Sequence, residues 1–588
     1  MRLTIPLSLL IALLVATSAR AAWFPAEPID GPSADVVKLG GVDLARDGTG
    51  ALVYIKRDGG VAHVFLSRLF DGTWHTPQRV DNGLAVPATD ATVAVADGGT
   101  ILVAWVAGGD VYGAFGANLQ GIGGPTRIGG PGMRYVDSDM AVDDAGYVAF
   151  GGNGDVGAAR VQNGAWAGVP APLDISPAAD AGTDAGPPRV AVGADGNALV
   201  TWAEGPAGAT HVVSRRLLGT NLSQYPQDLG AGTHPELDIE DDSSLAWVTF
   251  QQDQGGRPGT VARQLRGTLY DPPVPIDGGA GALTPHIDMS GTGEGAAVSS
   301  GVDLSVLWTF LTRDAFQAPL RIDSGGSTAD PAPLPAASER ADEAVVWRVQ
   351  DATGAGSLHA RYKPRGLPFE GEATVSRPDL GPVAPGDYAV AADRAGDVAA
   401  ALVQGTEGAR TLAAGVYDKP PGMPSTRARN DFQRPLFVWA PGVDLWGPQT
   451  FQVLVDGALV GQTAGTSLVP ARPIRAGRHR WRVVAVDRRG QQTPSRERVV
   501  RIDSLAPRIR VTVSGTRRAG LALRIAVRAR DVGGSGLDRI VVAFGDGSST
   551  TRSRSVHRYR AGRFTLTVRA FDKAGNVGRK AVRLRIRG

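Results

Sequence analysis

Read for its apolar and polar positions, the chain repeats one short phrase. Residues 190–204, VAVGADGNALVTWAE, form an apolar run, an Asp/Gly turn and a second apolar run. Related phrases stand at VDLARDGTGALVYI (42–55), VAVADGGTILVAW (93–105), MAVDDAGYVAF (140–150), LDIEDDSSLAWVTF (237–250), IDMSGTGEGAAV (287–298) and VAADRAGDVAAAL (390–402), with a degenerate copy at LPAASERADEAVVW (334–347). That makes eight units, spaced by about fifty residues. Each predicts a β-hairpin, because Asp/Gly supplies the turn and the flanking runs are β-type. No 3.6-residue period persists long enough for a substantial helix.

A third run follows each hairpin, as in HVVSRRLL (211–218) or SVLWTFLT (305–312), and then a fourth with its own signature. The fourth reads WHTPQRVD (74–81), YDPPVPID (270–277) and FQAPLRID (316–323), an aromatic residue seven places before an Asp. Four strands per unit predict a β-propeller, since small sheets apolar on both faces can bury them only between two neighbours. The last unit supplies three strands and stops at YDKPPGMP (417–424), while WFPAEPID (23–30) repeats the aromatic-to-Asp spacing. Residues 23–30 are therefore expected to complete the final blade and shut a ring of eight. Seven blades is the alternative if the 334–347 unit is incomplete.

Before the repeats, MRLTIPLSLLIALLVATSARA has a basic start, an apolar run and small residues at Ala19 and Ala21, the layout of a secretory signal peptide over 1–22. No later stretch reaches the ~20 apolar residues that a membrane helix needs. The expectation is a secreted protein, free or held at the cell surface. It has no cysteine, which removes disulfides, thiol nucleophiles and cysteine-based zinc sites.

After the repeats (23–419), KPPGMPSTR (419–427) reads as a linker. Beyond it PLFVWAP, TFQVLVDG and GRHRWRVVAVDRRGQQTPS alternate as sandwich strands do. The segment 420–503 resembles a fibronectin type III or related Ig-like domain, with Trp439 and Trp481 as its core aromatics. In 504–588 the string Phe544-Gly545-Asp546-Gly547-Ser548, then His557 and Tyr559, Gly562, Asp572 and Gly575-Asn576 resembles a polycystic kidney disease (PKD) domain. The resemblance implies an extracellular β-sandwich that spaces or binds and does not catalyse. The residues themselves predict a turn of positive φ at Gly545-Asp546-Gly547 and a buried Tyr559 whose hydroxyl finds a partner.

Charge changes the picture. The net charge is only +3, yet 1–419 carries 28 Lys+Arg against 48 Asp+Glu, or −20, and 420–588 carries 33 against 10, or +23. Arg583, Arg585 and Arg587 alternate, so one sheet face should carry a guanidinium stripe that attracts polyanions in a salt-sensitive way. The expected partners are an extracellular polysaccharide or cell-wall polymer, lipid head groups, or another protein. Nucleic acid is not expected, because aromatics are not interleaved with the arginines.

No catalytic signature appears: the eight histidines form no HExxH pair, and no GxSxG elbow or phosphate-binding glycine loop is present. The Asp-rich turns lack the alternating carboxylates of a calcium loop, so no metal or cofactor is expected. Recurrent Asp30, Asp81, Asp277 and Asp323 read as strand-end caps. One column is different. Aligning the first strands sets Ala94, Ala141, Ala191 and Ala391 level with Asp43, Asp238 and Asp288. First strands line a propeller's channel, so these three carboxylates, with His286 and Arg189 near the starts of such strands, are the candidate ligand-binding residues. The function expected is an exported, non-catalytic binding or scaffold protein with an acidic platform and basic anchoring modules. The alternative is a propeller glycosidase or polysaccharide lyase using Asp43, Asp238 and Asp288.

Overall fold

The computed structural model describes residues 21–117, 121–141, 144–169, 172–174, 180–206, 208–223, 225–240, 245–325, 333–428 and 434–588. The expected signal peptide lies outside the described residues except for Ala21 and Ala22. The fold is all-β; among the described residues only two three-residue 3-10 turns interrupt the strands. Two compact units result, Ala21–Lys419 and Pro420–Gly588.

In the first unit every repeat opens a sheet of its own, giving eight antiparallel sheets of four or five strands among the described residues. Their leading strands are Val36–Leu44, Ala88–Ala96, Tyr135–Met140, Arg189–Val192, Thr233–Ile239, Ala282–Met289, Leu334–Ala337 and Val383–Ala392. The glycine of the turn is needed where φ is positive, as at Gly48 (+85°) and Gly196 (+69°). Second strands such as Ala198–Glu204 and Val398–Gln404 are buried at every position, because a neighbouring sheet covers each face. The core therefore sits between sheets. Val53 and Val64 of the first sheet pack with Val103 and Trp105 of the second, and Leu52 and Tyr54 of the first also pack with Ala401 and Val403 of the eighth. Trp202, Trp247, Trp308 and Trp347 are buried in the same way.

Each leading strand packs on those of the sheets before and after it, and Val36–Leu44 packs on Val383–Ala392. The eighth sheet runs Val383–Ala392, Val398–Gln404, Arg410–Asp418 and then Ala22–Ser33. That last strand pairs antiparallel with Arg410–Asp418, Trp23 opposite Tyr417 and Pro28 opposite Ala413. Ala26 is fully buried. Asp30 bonds the Tyr54 hydroxyl and the Lys56 ammonium (2.7 Å) of the first sheet. The degenerate copy at 334–347 forms the first two strands of a four-stranded sheet.

The second unit contains two successive pairs of sheets. Ser425–Ala428, Phe437–Ala440 and Ser467–Leu468 face a sheet built on Thr450–Val455 and Gly477–Val486, with Phe437, Trp439 and Trp481 buried in the core. Arg508–Ser514, Ala522–Arg530 and Arg554–Arg558 then pair with Ser549–Thr550, Leu537–Ala543, Gly562–Asp572 and Val577–Ile586 around Leu523, Ile525, Phe544 and Leu566. Gly545 and Gly547 have φ of +89° and +95°. The buried Tyr559 donates its hydroxyl to the Phe544 carbonyl at 3.2 Å.

Candidate functional site

Alternate residues of a strand face the same way, so each leading strand of the first unit offers a short column of side chains to the cavity these strands line. Asp43, Asp238, Asp288, His286 and Arg189 all line one cavity of about 440 Å³. A second cavity of about 240 Å³ shares Asp43, Asp238 and Asp288 with it and extends toward the hairpin turns, where Arg46 pairs with Glu339.

The carboxylates of the column have structural work. Asp43 accepts the N–H of Leu44 (2.8 Å) and that of Val95 in the next sheet (2.7 Å). Asp238 does the same with Ile239 (2.7 Å) and Met289 (2.5 Å), and Asp288 accepts Ala337 N–H at 2.7 Å. Each spans the seam between two leading strands, which have no ladder bonds to each other. Asp139, not Ala141, holds this level in the third sheet: it accepts Met140 (2.7 Å) and Val192 (2.6 Å). Ala141 lies beyond the strand, in the turn closed by its own N–H on the Ala145 carbonyl. The tier thus has four carboxylates. Asp90, Asp137 and Asp387 make further bonds of this kind to Val136 (3.2 Å), Val190 (2.9 Å) and Leu39 (3.2 Å).

Two residues back along the strands lies a tier of mixed charge. Asp137, Arg189, Glu236 and His286 come from four consecutive sheets. Arg189 Nε donates to Glu236 Oε1 at 2.9 Å, and His286 Nδ1 lies 3.4 Å from the same oxygen. Burial pushes the Asp137 carboxyl up to about 6, against the opposing pull of Arg189 and the Val190 N–H. Glu236 foremost raises Arg189 further, while burial lowers His286. The rest of this level is small or neutral: Gly41, Thr92, Pro335 and Ala389. One wall therefore offers donors and acceptors, and the facing wall offers space. Asp137 and Glu236 had a usable signal in the sequence, since each stands two places before a column acid.

Asp81, Asp277 and Asp323 are buried at strand ends. Asp323 accepts Val306 N–H (2.8 Å), Asp277 accepts Gly279 N–H (2.9 Å) and Asp81 meets His63 (2.8 Å). They belong to separate sheets and bring no common site together.

In the second unit Arg583 and Arg585 are exposed on Val577–Ile586, and Arg587 follows the strand end, joined to Arg518 by a parallel bridge. Elsewhere in this unit Asp503, Asp531 and Asp572 each bring one carboxylate oxygen within 4.8 Å of the others, a donor set of the kind a hard cation takes. Their spacing in the chain matches no metal loop, so turn-by-turn inspection misses them. Main-chain N–H groups of Leu505, Gly533 and Asn576 already hold the three in place.

No protein-family model matches this chain, and no curated protein does. Solved structures similar to parts of it include the PKD1 domain of the Vibrio cholerae metalloprotease PrtV, 18% identical over 14% of this chain and 100% of that one, TM-score 0.13. Fibronectin(III)-like modules of Clostridium thermocellum CbhA are 15% identical over 28% and 94%, TM-score 0.19. The fucose-specific lectin of Aleuria aurantia is 11% identical over 49% and 94%, TM-score 0.33.

Proposed function

We propose that the chain is an exported, non-catalytic binding protein. In this reading Ala21–Lys419 is an eight-bladed β-propeller closed by its amino-terminal strand. Its axial cavity takes a polar, hydroxyl-rich ligand of the carbohydrate class. A fibronectin type III or Ig-like domain (420–503) and a PKD-like domain (504–588) then space the propeller from, or anchor it to, an anionic polymer of the cell surface.

The observation that carries the proposal is the Arg189–Glu236–His286 wall facing Gly41, Thr92 and Ala389 across one cavity. A fixed guanidinium, a carboxylate and an imidazole give directional donors and acceptors to sugar hydroxyls, and small residues opposite leave room for a ring. Hydrolysis by a carboxylate pair is the less favoured use, because the column acids are bonded to main-chain N–H groups across the seams. The test is a glycan array probed with the full chain and with the charge-neutral double variant Arg189→Gln/Glu236→Gln. Neutral-glycan signals should be lost in the variant while its melting temperature holds. Equal signals from both proteins, or none from either, would refute the axial site.

A further inference from the structure

The second sandwich of the C-terminal unit carries an arginine surface that the alternating run at its end does not announce. Along Arg508–Ser514 and Ala522–Arg530 the inward positions are Ile509, Leu523, Ile525 and Val527, which leaves Arg508, Arg510, Arg524, Arg528 and Arg530 exposed on the outer face. The strand register sets Arg508 opposite Arg530 and Arg510 opposite Arg528. Arg554 joins them from the third strand, opposite Ala526. Like charges directly opposite each other in a sheet repel. Among the described residues none of these six guanidinium groups forms an ion pair, and the acids nearby in sequence are engaged elsewhere: Asp538 with Arg539, Asp546 with His557 and Ser548. A face that only needs solvating mixes its signs; this one keeps a single sign at the expense of its own strand pairing.

The arginines border a cavity of about 780 Å³ lined from all three strands of the same sheet, inside the ~300–1,000 Å³ range of small-molecule sites. Arg524, Arg552 and Arg554 stand around it, with the hydroxyls of Thr512, Ser514 and Thr550 between them. Val556, 63% exposed, gives it an apolar side. Ser555, also in the lining, stands opposite the inward Ile525, and its hydroxyl is shielded from solvent on the core side.

We propose that this cavity and the arginine face beside it bind a carboxylated polysaccharide, a chain of uronic-acid type. The inference rests on the anchoring role proposed above and names its site and chemistry. Guanidinium forks match carboxylates in two-point contact. Alternate residues along a strand are ~6.7 Å apart and neighbouring strands ~4.8 Å, and each successive row of the face carries at least one arginine for the carboxylates of an acidic chain. The cavity's hydroxyls serve sugar hydroxyls, and its apolar side serves the C–H face of a ring. Nucleic acid fits less well, since Phe544 is buried and stacked on His557 at 4.1 Å and, among the described residues of this sandwich, no exposed aromatic is left for a base.

The test uses the full chain with polygalacturonate as probe, and dextran, polyphosphate and a single-stranded oligonucleotide as comparisons, at low and high salt. Arg524→Gln/Arg554→Gln should weaken polygalacturonate binding about tenfold or more. Arg583→Gln/Arg585→Gln, on the other sheet and with the same charge loss, should change it less than twofold. High salt should weaken the native complex. Ser514→Ala, a small change at an exposed lining position, should weaken binding severalfold and keeps the proposal testable if the double variant misfolds. Equal losses from both arginine pairs would overturn it, as would equal affinity for polyphosphate or oligonucleotide, or salt-dependent self-association in place of polymer binding. The axial variant Arg189→Gln/Glu236→Gln should bind polygalacturonate normally, which separates failure here from failure of the axial site.

Discussion

The column carboxylates are bridges between sheets, and Asp238→Asn tests that directly. In the native protein Asp238 receives two main-chain N–H groups, at 2.7 Å from Ile239 and 2.5 Å from Met289 of the next sheet. An asparagine keeps one acceptor oxygen but turns an amide donor toward the second N–H. Losing one charge-assisted bond and leaving a donor against a donor costs roughly 2–3 kcal/mol. The unit has about 400 residues, and at ~2.1 cal/mol/K per residue its unfolding entropy is ~0.8 kcal/mol/K, so the melting temperature should fall by about 3 °C. Differential scanning calorimetry of the full chain reads this on the larger of its transitions. Asp314→Asn is the control, with a side chain 67% exposed, and should shift the midpoint by less than about 0.6 °C. If Asp238→Asn melts with the native protein, the carboxylate is not holding the seam, and its geometry would have to be explained by a ligand.

Two further outcomes follow from the same structure. Removing 22–33 strips the outer strand from the eighth sheet, with buried Ala26 and the edge-on contact of Trp23 with Tyr417 at 5.6 Å. Lost strand bonds and burial should cost roughly 5 kcal/mol or more, and an unchanged melting temperature by scanning fluorimetry would refute closure by this strand. Burial pushes the Glu343 carboxyl up to about 8, opposed by Lys363 and the Trp308 indole N–H, and the residue is 2% exposed. With the folded value above the unfolded one, its stabilising contribution is fully present below about pH 4.5 and is lost as pH rises toward 8, by up to about 5 kcal/mol. Glu343→Gln should match the native melting temperature near pH 4 and exceed it at pH 8.5; parallel pH profiles would refute this.

Much of the first unit was legible because its code is periodic. Alternation and Asp/Gly turns mark the hairpins, and the aromatic-to-Asp spacing in 23–30 marks a strand whose partners lie almost 400 residues away. The column of Asp43, Asp238 and Asp288 was readable for the same reason. Ala141 was misplaced because matching apolar letters ignores turn length: Met140 pairs with Gly146 as Leu44 pairs with Gly50, which puts Asp139 at the level of Asp43. The use of these acids could not be read at all. Whether a carboxylate faces a ligand or its neighbour's N–H depends on the angle between adjacent sheets, which no local pattern encodes. The arginine face of the second sandwich escaped for a similar reason, since Arg510 and Arg528 become neighbours only through the register of two strands.

Eight leading strands packed side by side carry an electrostatic problem. If every leading strand placed the same acid at the same level, eight carboxylates would face one another across a narrow space. The chain avoids this by alternating Asp with alanine: Asp43, Ala94, Asp139 and Ala191 follow one another, and bonds run from Asp43 to Val95 and from Asp139 to Val192. Each acid thus ties two sheets, and the sheet that receives the bond needs no acid of its own. The order breaks where Asp238 and Asp288 stand in consecutive sheets. Arg189 and His286 lie in that same arc, one level away, with Glu236 between them. Stability alone asks for the alternating half of the series. The strands that depart from it add a paired guanidinium and an imidazole facing small residues, which the seams between sheets do not use.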